Sequence, residues 1–436
     1  MGLLSKSEIG PAGVSKKKKI RPPHLSSAAG SAGHAREKAL VVTYNHGLND
    51  PPIKQAAESL AAEAYQVTLL QSPVRRAFPT EAPKGVSVVE YWMPRRGGGL
   101  NSLVRWLSFW LSVKRALKDL KPDVVVAFMP PSLAAMPGFL KRGNVVACIY
   151  DVPALNTMGR LDRWIFTRGF RFLKNAGVTW CSDYFRAVLT KDLADLKTLP
   201  LVCHNCPPKD YFHALPAARD PWLRRELIKL GAPLNPKGGG CILLRAGAIG
   251  ESCGLDETLE AMSGLPKDYV FLMMGRPDPG FLEALKARIK GMGLQNRAFV
   301  WNLPSDEVWK KALIGADIGH VIHGPFQSAA LQEQFKLNSS LSNNRIFQYM
   351  AAGLPVLAYD DPRMSGLYKE VGCFRSARIL NLREDLEAHW RELGASAALR
   401  RRLGLRARRA HLKKYCWEYQ FAPVLQAVHG RAVEPA

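Results

Sequence analysis

The stretch that decides the fold is NNRIFQYMAAGLPVLAYDD, Asn343 to Asp361. Its spacing predicts a short amphipathic helix over 345–352. Gly353 then sits where a helix stops in the left-handed conformation, and Pro355 forbids its continuation. An apolar strand follows at 356–358. The front end carries two amides and a guanidinium. A helix N-terminus presents free N–H groups and a partial positive charge. Asn343 or Asn344 can cap it, and Arg345 adds a fixed cation with a fork of donors. The pattern suits an anion such as a phosphate. It equally suits a plain capped helix with a surface arginine, so the neighbouring elements must decide.

Working outward, strands and helices alternate. Upstream of this stretch the rhythm begins at CILLR (241–245), followed by the glycine-rich turn AGAIG. Strands at 270–274, 299–301 and 317–322 alternate with helices at 255–262, 281–292 and 306–314. The first half behaves alike. ALVVTY (39–44), QVTLL (66–70), VSVVE (86–90), DVVVAF (123–128), 145–150, 178–182 and 201–203 read as short strands, most of them continuously apolar. Such runs belong to parallel sheets covered on both faces. The expected architecture is α/β, two Rossmann-like doubly wound domains facing across a cleft. The boundaries read as a basic tail at 1–36, a first domain at 37–210, a linker at 211–240, a second domain at 241–415, and a last helix at 416–436. Ligands of such sheets sit at the carboxyl ends of the strands, and a cleft between two of them is a natural ligand site.

Length and composition agree with two domains. The chain has 436 residues, of which 47% are hydrophobic, and single cores rarely outgrow roughly 250–300 residues. Charge is strongly biased, with 61 Lys and Arg against 37 acids, a formal +24. That favours polyanionic or phosphate-bearing partners. The excess is concentrated in KKKKIR (16–21) and in RRRLGLRARRAHLKK (400–414). The second run has helical spacing with Leu399, Leu403 and Leu412 as its inward residues, and reads as a solvated helix or an anionic-membrane contact. Residues 103–120 form a further amphipathic helix, with Leu103, Trp106, Leu107, Trp110, Leu111, Leu117 and Leu120 as a stripe. The stripe reads as core, with a membrane-interface role as the alternative. No apolar run is long enough to span a bilayer and no apolar leader segment precedes residue 39, so the expected location is cytoplasmic, peripheral at the inner face of a membrane. Eight cysteines are scattered. Cys203 and Cys206 have metal-knuckle spacing but lack the companions that a tetrahedral site needs, and read as ordinary thiols. No metal and no cofactor is expected. Nucleic acid is not expected as a partner, because no basic and aromatic stripe is arranged for stacking.

The C-terminal half resembles the GT-B nucleotide-sugar glycosyltransferases of the family 4 type. The resemblance rests on Gly247 with Gly254-Leu255, Gly275, Val300 to Asn302, Ala316 to Gly319, Asn343 to Pro355, and the closing Tyr415-Cys416-Trp417-Glu418. It implies a sugar transferred from a nucleotide-diphosphate donor to a glycan or lipid-linked acceptor, in cell-surface polysaccharide or glycolipid synthesis. It also implies that the helix after Asn344 faces the donor diphosphate and that the Trp-Glu close begins a helix crossing back to the first domain. The donor-binding candidates are Gly247, Arg276, Asn302, Ser340, Asn343, Asn344, Arg345 and Gln348. The family's two glutamates would fall on Ser340 and Gln348, neither of them an acid, and its Arg and Lys near Ala248 and Cys253. Arg245, Arg276 and Arg345 are the available cations.

A base for the acceptor hydroxyl has three candidates at strand ends of the first half: His46, Asp50 and Asp151. His46 can work near neutral pH, or can be a loop histidine bonding backbone; Asp50 can be a helix cap before Pro51. His320 and His323, at the end of a second-half strand, read either as facing the donor sugar or as packed. Two other readings stand beside the transferase: a nucleotide-sugar epimerase, and a catalytically degenerate binding or scaffold protein.

Overall fold

The computed structural model describes residues 36–73, 81–92, 100–137, 144–153, 155–214, 219–278, 280–302, 304–324 and 344–430. In the first half, β1 (Lys38–Thr43), α1 (Pro51–Ala62), β2 (Gln66–Gln71), β3 (Val86–Glu90), α2 (Leu100–Leu120), β4 (Val124–Phe128), α3 (Met129–Ala134), β5 (Val145–Ile149), α4 (Arg160–Phe172), β6 (Val178–Cys181), α5 (Tyr184–Ala194) and β7 (Leu201–Val202) follow in order. The second half holds α6 (Pro221–Lys229), β8 (Cys241–Ile249), α7 (Leu255–Ser263), β9 (Tyr269–Pro277), α8 (Phe281–Gly291), β10 (Ala298–Asn302), α9 (Asp306–Gly315), β11 (Ile318–Val321), α10 (Asn344–Ala351), β12 (Val356–Tyr359), α11 (Ser365–Val371), β13 (Phe374–Ala377), α12 (Leu382–Ala395), α13 (Ala397–Lys413) and α14 (Trp417–Val428).

Two all-parallel sheets result, ordered β3-β2-β1-β4-β5-β6-β7 and β10-β9-β8-β11-β12-β13. Both have the doubly wound order, in which the chain reverses direction beside the first strand. The crevices therefore open between β1 and β4 and between β8 and β11. Alternation along β1 explains its apolar run. Leu40 and Val42 enter the core under α2 and α4, whereas Ala39 and Val41 enter the core under α1 and α14.

Several elements depart from the sequence reading. Strands β8 and β9 run on for nine residues each, through Gly247 and Gly275, which are paired in register. Both have positive φ, +133° and +151°, so the strand continues where a side chain would have ended it. The stretch 211–240 carries α6, whose Leu223 and Leu227 are buried in the second core. In α2 the inward face is Trp106, Phe109 and Val113, while Leu103, Leu107 and Leu111 point to solvent. Of the expected stripe, Trp106 is buried and Trp110, Leu117 and Leu120 pack against the core, but Leu103, Leu107 and Leu111 do not; the aromatic residues bury more area and win the inward face there. Similarly, α13 buries Leu403 and Ala407 but leaves Leu412 exposed. Cys203 and Cys206 are buried in different cores, the first under the N-terminal sheet and the second under the C-terminal one.

The last helix returns to the first sheet. The backbone N–H of Trp417 donates to the Pro207 carbonyl at 3.0 Å. Its indole N–H donates to Ser59 Oγ at 2.8 Å, and its ring meets Trp180 edge-on. Glu418 accepts from the backbone N–H of Lys209. Just before this crossing, His411 is fully buried and bonds the Tyr415 carbonyl at 2.8 Å.

Trp417→Ala should destabilise the fold by about 3–5 kcal/mol in denaturant unfolding, the range for truncating a buried tryptophan; a loss near zero would mean that α14 is not integral to the first core. Acid should also weaken the fold. Burial pushes the His411 pKa down to about 4 and lowers that of His204. Below the ordinary histidine value the unfolded chain takes up protons that the fold refuses, so stability is intact above pH ~6.5 and falls as pH drops toward the folded value. For His411 the loss is about 2 kcal/mol at pH 5. His411→Gln should flatten the slope of stability against pH between 7 and 5, whatever it does to stability at pH 7.

Candidate active site

The carboxyl ends of β8, β9 and β11 meet the N-terminus of α10. Gly247 and Gly275 make a floor there. A Cβ on Gly275 would strike the Gly247 carbonyl, and a Cβ on Gly247 would strike the guanidinium of Arg345. The bare strand pair is what lets Arg345, in the first turn of α10, lie against the sheet. Beside it Asn344 is half-buried, with its side-chain oxygen lacking a hydrogen-bond partner among the described residues.

Helix α10 is held along its length. Tyr349, fully buried, accepts from the Ala246 N–H at 2.8 Å and donates to the Leu244 carbonyl at 2.9 Å. Its ring occupies the space that a side chain at Gly319 would fill. At the C-terminal end the free carbonyls of Ala351, Ala352 and Gly353 receive Arg408 and Arg219 at 2.9, 3.0 and 2.5 Å. Cations are favoured at that end of the macrodipole. Gly404 of α13 lets its helix press against the Gly353 carbonyl. The helix is therefore pinned with its N-terminus at the strand ends.

A second guanidinium stands close by. Arg245 is fully buried. It donates to the carbonyls of Ala248 (3.1 Å), Cys253 (3.3 Å) and Ile322 (2.9 Å), which staples the loop after β8 to the end of β11. One of its Nη atoms has no hydrogen-bond partner among the described residues. The other also faces His320 Nδ1 at 3.4 Å, while His320 Nε2 lies 3.0 Å from Thr258 Oγ1, which donates to the Gly254 carbonyl at 2.6 Å. Because arginine only donates, Nδ1 accepts and the Nε2 proton goes to Thr258. Burial and the adjacent Arg245 hold His320 well below the usual histidine range. His320 is thus a packed, neutral relay residue. His323, one turn on and partly exposed, meets Tyr359 edge-on at 5.5 Å. Burial first, then the charge of Arg245, pushes the Arg345 pKa down to about 10. Two guanidiniums that repel each other in a desolvated place favour the arrival of an anion.

The other donor-side candidates are spread around this centre. Arg276 and Asn302 are exposed just at the ends of β9 and β10. Gln348 is half-buried, and its carbonyl oxygen accepts from the Trp309 indole at 3.2 Å. Ser340 and Asn343 lie outside the described residues. Among the described residues no group of three or more His, Cys, Asp and Glu side chains is placed to hold a metal ion.

The first sheet contributes a compact polar cluster. His46, in the loop after β1, contacts Asp50 at 2.9 Å through Nδ1. Asp50 precedes Pro51 at the start of α1 but makes no side-chain cap bond. The His46 ring meets Tyr150 edge-on at 5.8 Å, and the Tyr150 hydroxyl is buried with no hydrogen-bond partner among the described residues. Asp151 follows. Its carboxylate is half-exposed and 3.3 Å from the buried Arg186, which also pairs with Asp183, the N-cap of α5. Desolvation raises the Asp151 pKa against the opposing pull of Arg186 and His46. The three candidates His46, Asp50 and Asp151 are brought together. The sequence reading missed Arg186 as the partner of Asp151. The spacing SDYFR (182–186), an aspartate three residues before an arginine at a helix start, signals the Asp183–Arg186 pair, but nothing local ties Arg186 to Asp151, 35 residues away.

Side chains from the two halves touch at the cleft. His204, beyond β7, stacks on Phe347 of α10 at 5.5 Å, and Phe347 stacks on Tyr415. The Arg363 guanidinium lies 5.1 Å from the ring centre of Phe185 on α5.

Comparison with known proteins agrees with this architecture. A family model described as a glycosyl transferase 4-like domain matches residues 53–190, and one described as glycosyl transferase-like matches residues 280–426. Among solved structures, the chain is similar to WaaG, a glycosyltransferase involved in lipopolysaccharide biosynthesis, with a TM-score of 0.63 and 17% identity over 90% of this chain and 100% of that one. It is similar to sucrose-phosphate synthase from Thermosynechococcus elongatus, with a TM-score of 0.67 and 14% identity over 91% and 99%. It is also similar to Anabaena Alr3699/HepE in complex with UDP, with a TM-score of 0.63 and 11% identity over 90% and 100%. No curated protein matches the chain in sequence. With one family match on each sheet and a fold shared along nearly its whole described length, the chain belongs to the GT-B glycosyltransferases of the family 4-like type.

Proposed function

We propose that this glycosyltransferase takes its sugar from a nucleoside-diphosphate donor and passes it to a hydroxyl of a glycan or lipid-linked acceptor, in cell-surface polysaccharide or glycolipid synthesis. The observation that carries the donor assignment is the pair Arg245 and Arg345 at the α10 N-terminus, above the Gly247–Gly275 floor. As the sugar leaves, negative charge develops on the diphosphate oxygen that had bonded its anomeric carbon. Arg345 and the helix N–H groups are set to stabilise that charge without reorganising. The solved structures of Anabaena Alr3699/HepE with UDP and with UDP-glucose give a precedent for such a donor on this fold.

On the opposite side His46 is the base in this reading. Its Nδ1 proton goes to Asp50, which leaves Nε2 to take the acceptor's proton while Asp50 steadies the imidazolium. The Tyr150 hydroxyl, which has no hydrogen-bond partner among the described residues, is the group in this reading that gives the acceptor a hydrogen bond. In place of the second of the family's two glutamates, Gln348 has its amide N–H groups to offer the donor, since its carbonyl is engaged by Trp309.

Two measurements test this. Thermal-shift titration of the parent with UDP, GDP and ADP should raise the melting temperature with one of them. Arg345→Ala should weaken that binding about 30- to 100-fold, the cost of a lost charge-assisted contact. Gly247→Val, which keeps Arg345 but crowds it, should do the same; a nucleotide response equal to the parent's in both would remove the donor site. With a working acceptor assay, His46→Gln should lower kcat by about 10²–10⁴-fold while leaving nucleotide affinity unchanged. Retention of kcat would transfer the base role to another group.

A further inference from the structure

The face of the first half built by α2 and α4 has an exposure pattern that a water-facing surface does not need. Leu103, Leu107 and Leu111, one turn apart, are 37%, 40% and 58% exposed. They form a continuous apolar stripe about 12 Å long. Trp164 on α4 is 51% exposed and meets Trp106 of α2 edge-on at 5.5 Å, which joins the two helices. Trp92, 65% exposed, lies against the same helix, its carbonyl accepting from Ser108 at 2.6 Å. Cations surround these groups. Lys114 sits 3.6 Å over the Trp110 ring. A groove of about 270 Å³ on α4 is lined by Arg160, Arg163, Trp164, Thr167, Arg168 and Arg171. Among the described residues none of these four arginines is in an ion pair; Arg163 donates to the carbonyls of Leu155, Asn156 and Met158, and Arg168 to that of Ala134. Across both helices eight Lys and Arg stand against two carboxylates, Asp119 and Asp162.

We propose that this α2–α4 face docks on an anionic lipid bilayer. The leucines and tryptophans enter the headgroup boundary, and the arginine groove takes lipid phosphates. Apolar residues beside tryptophan and arginines that meet no carboxylate among the described residues match the chemistry of that interface. A nucleic acid would satisfy the arginines but leave the leucines in water. The position matters as well. Both helices follow strands of a parallel sheet, so their first turns lie at the carboxyl ends of the strands. Arg105 and Asp162 act electrostatically on Tyr44, two residues before His46. Resting on the proposed acceptor side, the inference adds that a lipid-linked acceptor reaches His46 from the bilayer surface without leaving it.

The experiment is co-sedimentation of the full chain with vesicles of phosphatidylcholine alone and of phosphatidylcholine mixed with phosphatidylglycerol. Three variants are compared: Leu107→Asn with Leu111→Asn, Arg160→Glu with Arg171→Glu, and Lys16 to Lys19 all changed to Gln. All four patch positions are exposed, so the melting temperature should stay at the parent's. Binding to the anionic vesicles should fall at least about tenfold in each patch variant. Parent-like binding by both patch variants overturns the proposal, as does a loss confined to the lysine-tail variant or a parent that ignores both vesicles. The assay contains no donor, so failure of the nucleotide titration alongside the predicted vesicle result would remove the donor site and leave this surface standing.

Discussion

The hydroxyl of Tyr349 is inserted between two neighbouring strands, and the site depends on it. It accepts from β8 and donates to a β8 carbonyl, with the β11 carbonyl of His320 3.3 Å away. A tyrosine buried to zero exposure must find such partners. Those available here fix the rotation of α10 about its own axis. Once Tyr349 points down, Arg345 one turn earlier lies on the glycine floor and Phe347 turns toward His204. Orientation of the helix, not its existence, makes the proposed anion site.

Around this pin the charges are distributed with a consistent sign. Arginines occupy both ends of α10, but for different reasons. Arg219 and Arg408 neutralise carbonyls at the C-terminal end and are satisfied there. Arg345 and Arg245 stand at the positive end, where cations are disfavoured. A fold accepts such a conflict where function needs it. The neutral His320–Thr258 relay belongs to the same arrangement, since a charged histidine beside Arg245 would add a third cation.

Much of the scaffold was legible because buried parallel strands write themselves as apolar runs. ALVVTY, DVVVAF and CILLR could hardly be anything else. The glycine stop at Gly353 and the amide and guanidinium in the first turn of α10 were legible from local pattern in the same way. What failed to show were properties set by distant partners. Gln348 has its carbonyl taken by Trp309, 39 residues away, and the roles of Arg219 and Arg408 depend on carbonyls 133 and 57 residues away. The first half of the α2 stripe was misread at Leu103, Leu107 and Leu111 because the helix is apolar on two sides. Periodicity finds such a helix but not the face that it buries, and Phe109 and Val113 outcompeted the leucines.

The return of α14 has a mechanical consequence. The chain passes between the two sheets twice, near 203–212 and again near 411–417, and the passages are bonded to each other through Pro207 with Trp417 and Lys209 with Glu418. They make a two-ply strap rather than a single tether. A single tether would let the halves swivel and translate; a laminated one leaves twisting about its own long axis as the soft motion. Any opening of the cleft is then constrained toward a rotation about that strap, which in the proposed transfer would keep the sugar's path between the two sides the same from one turnover to the next.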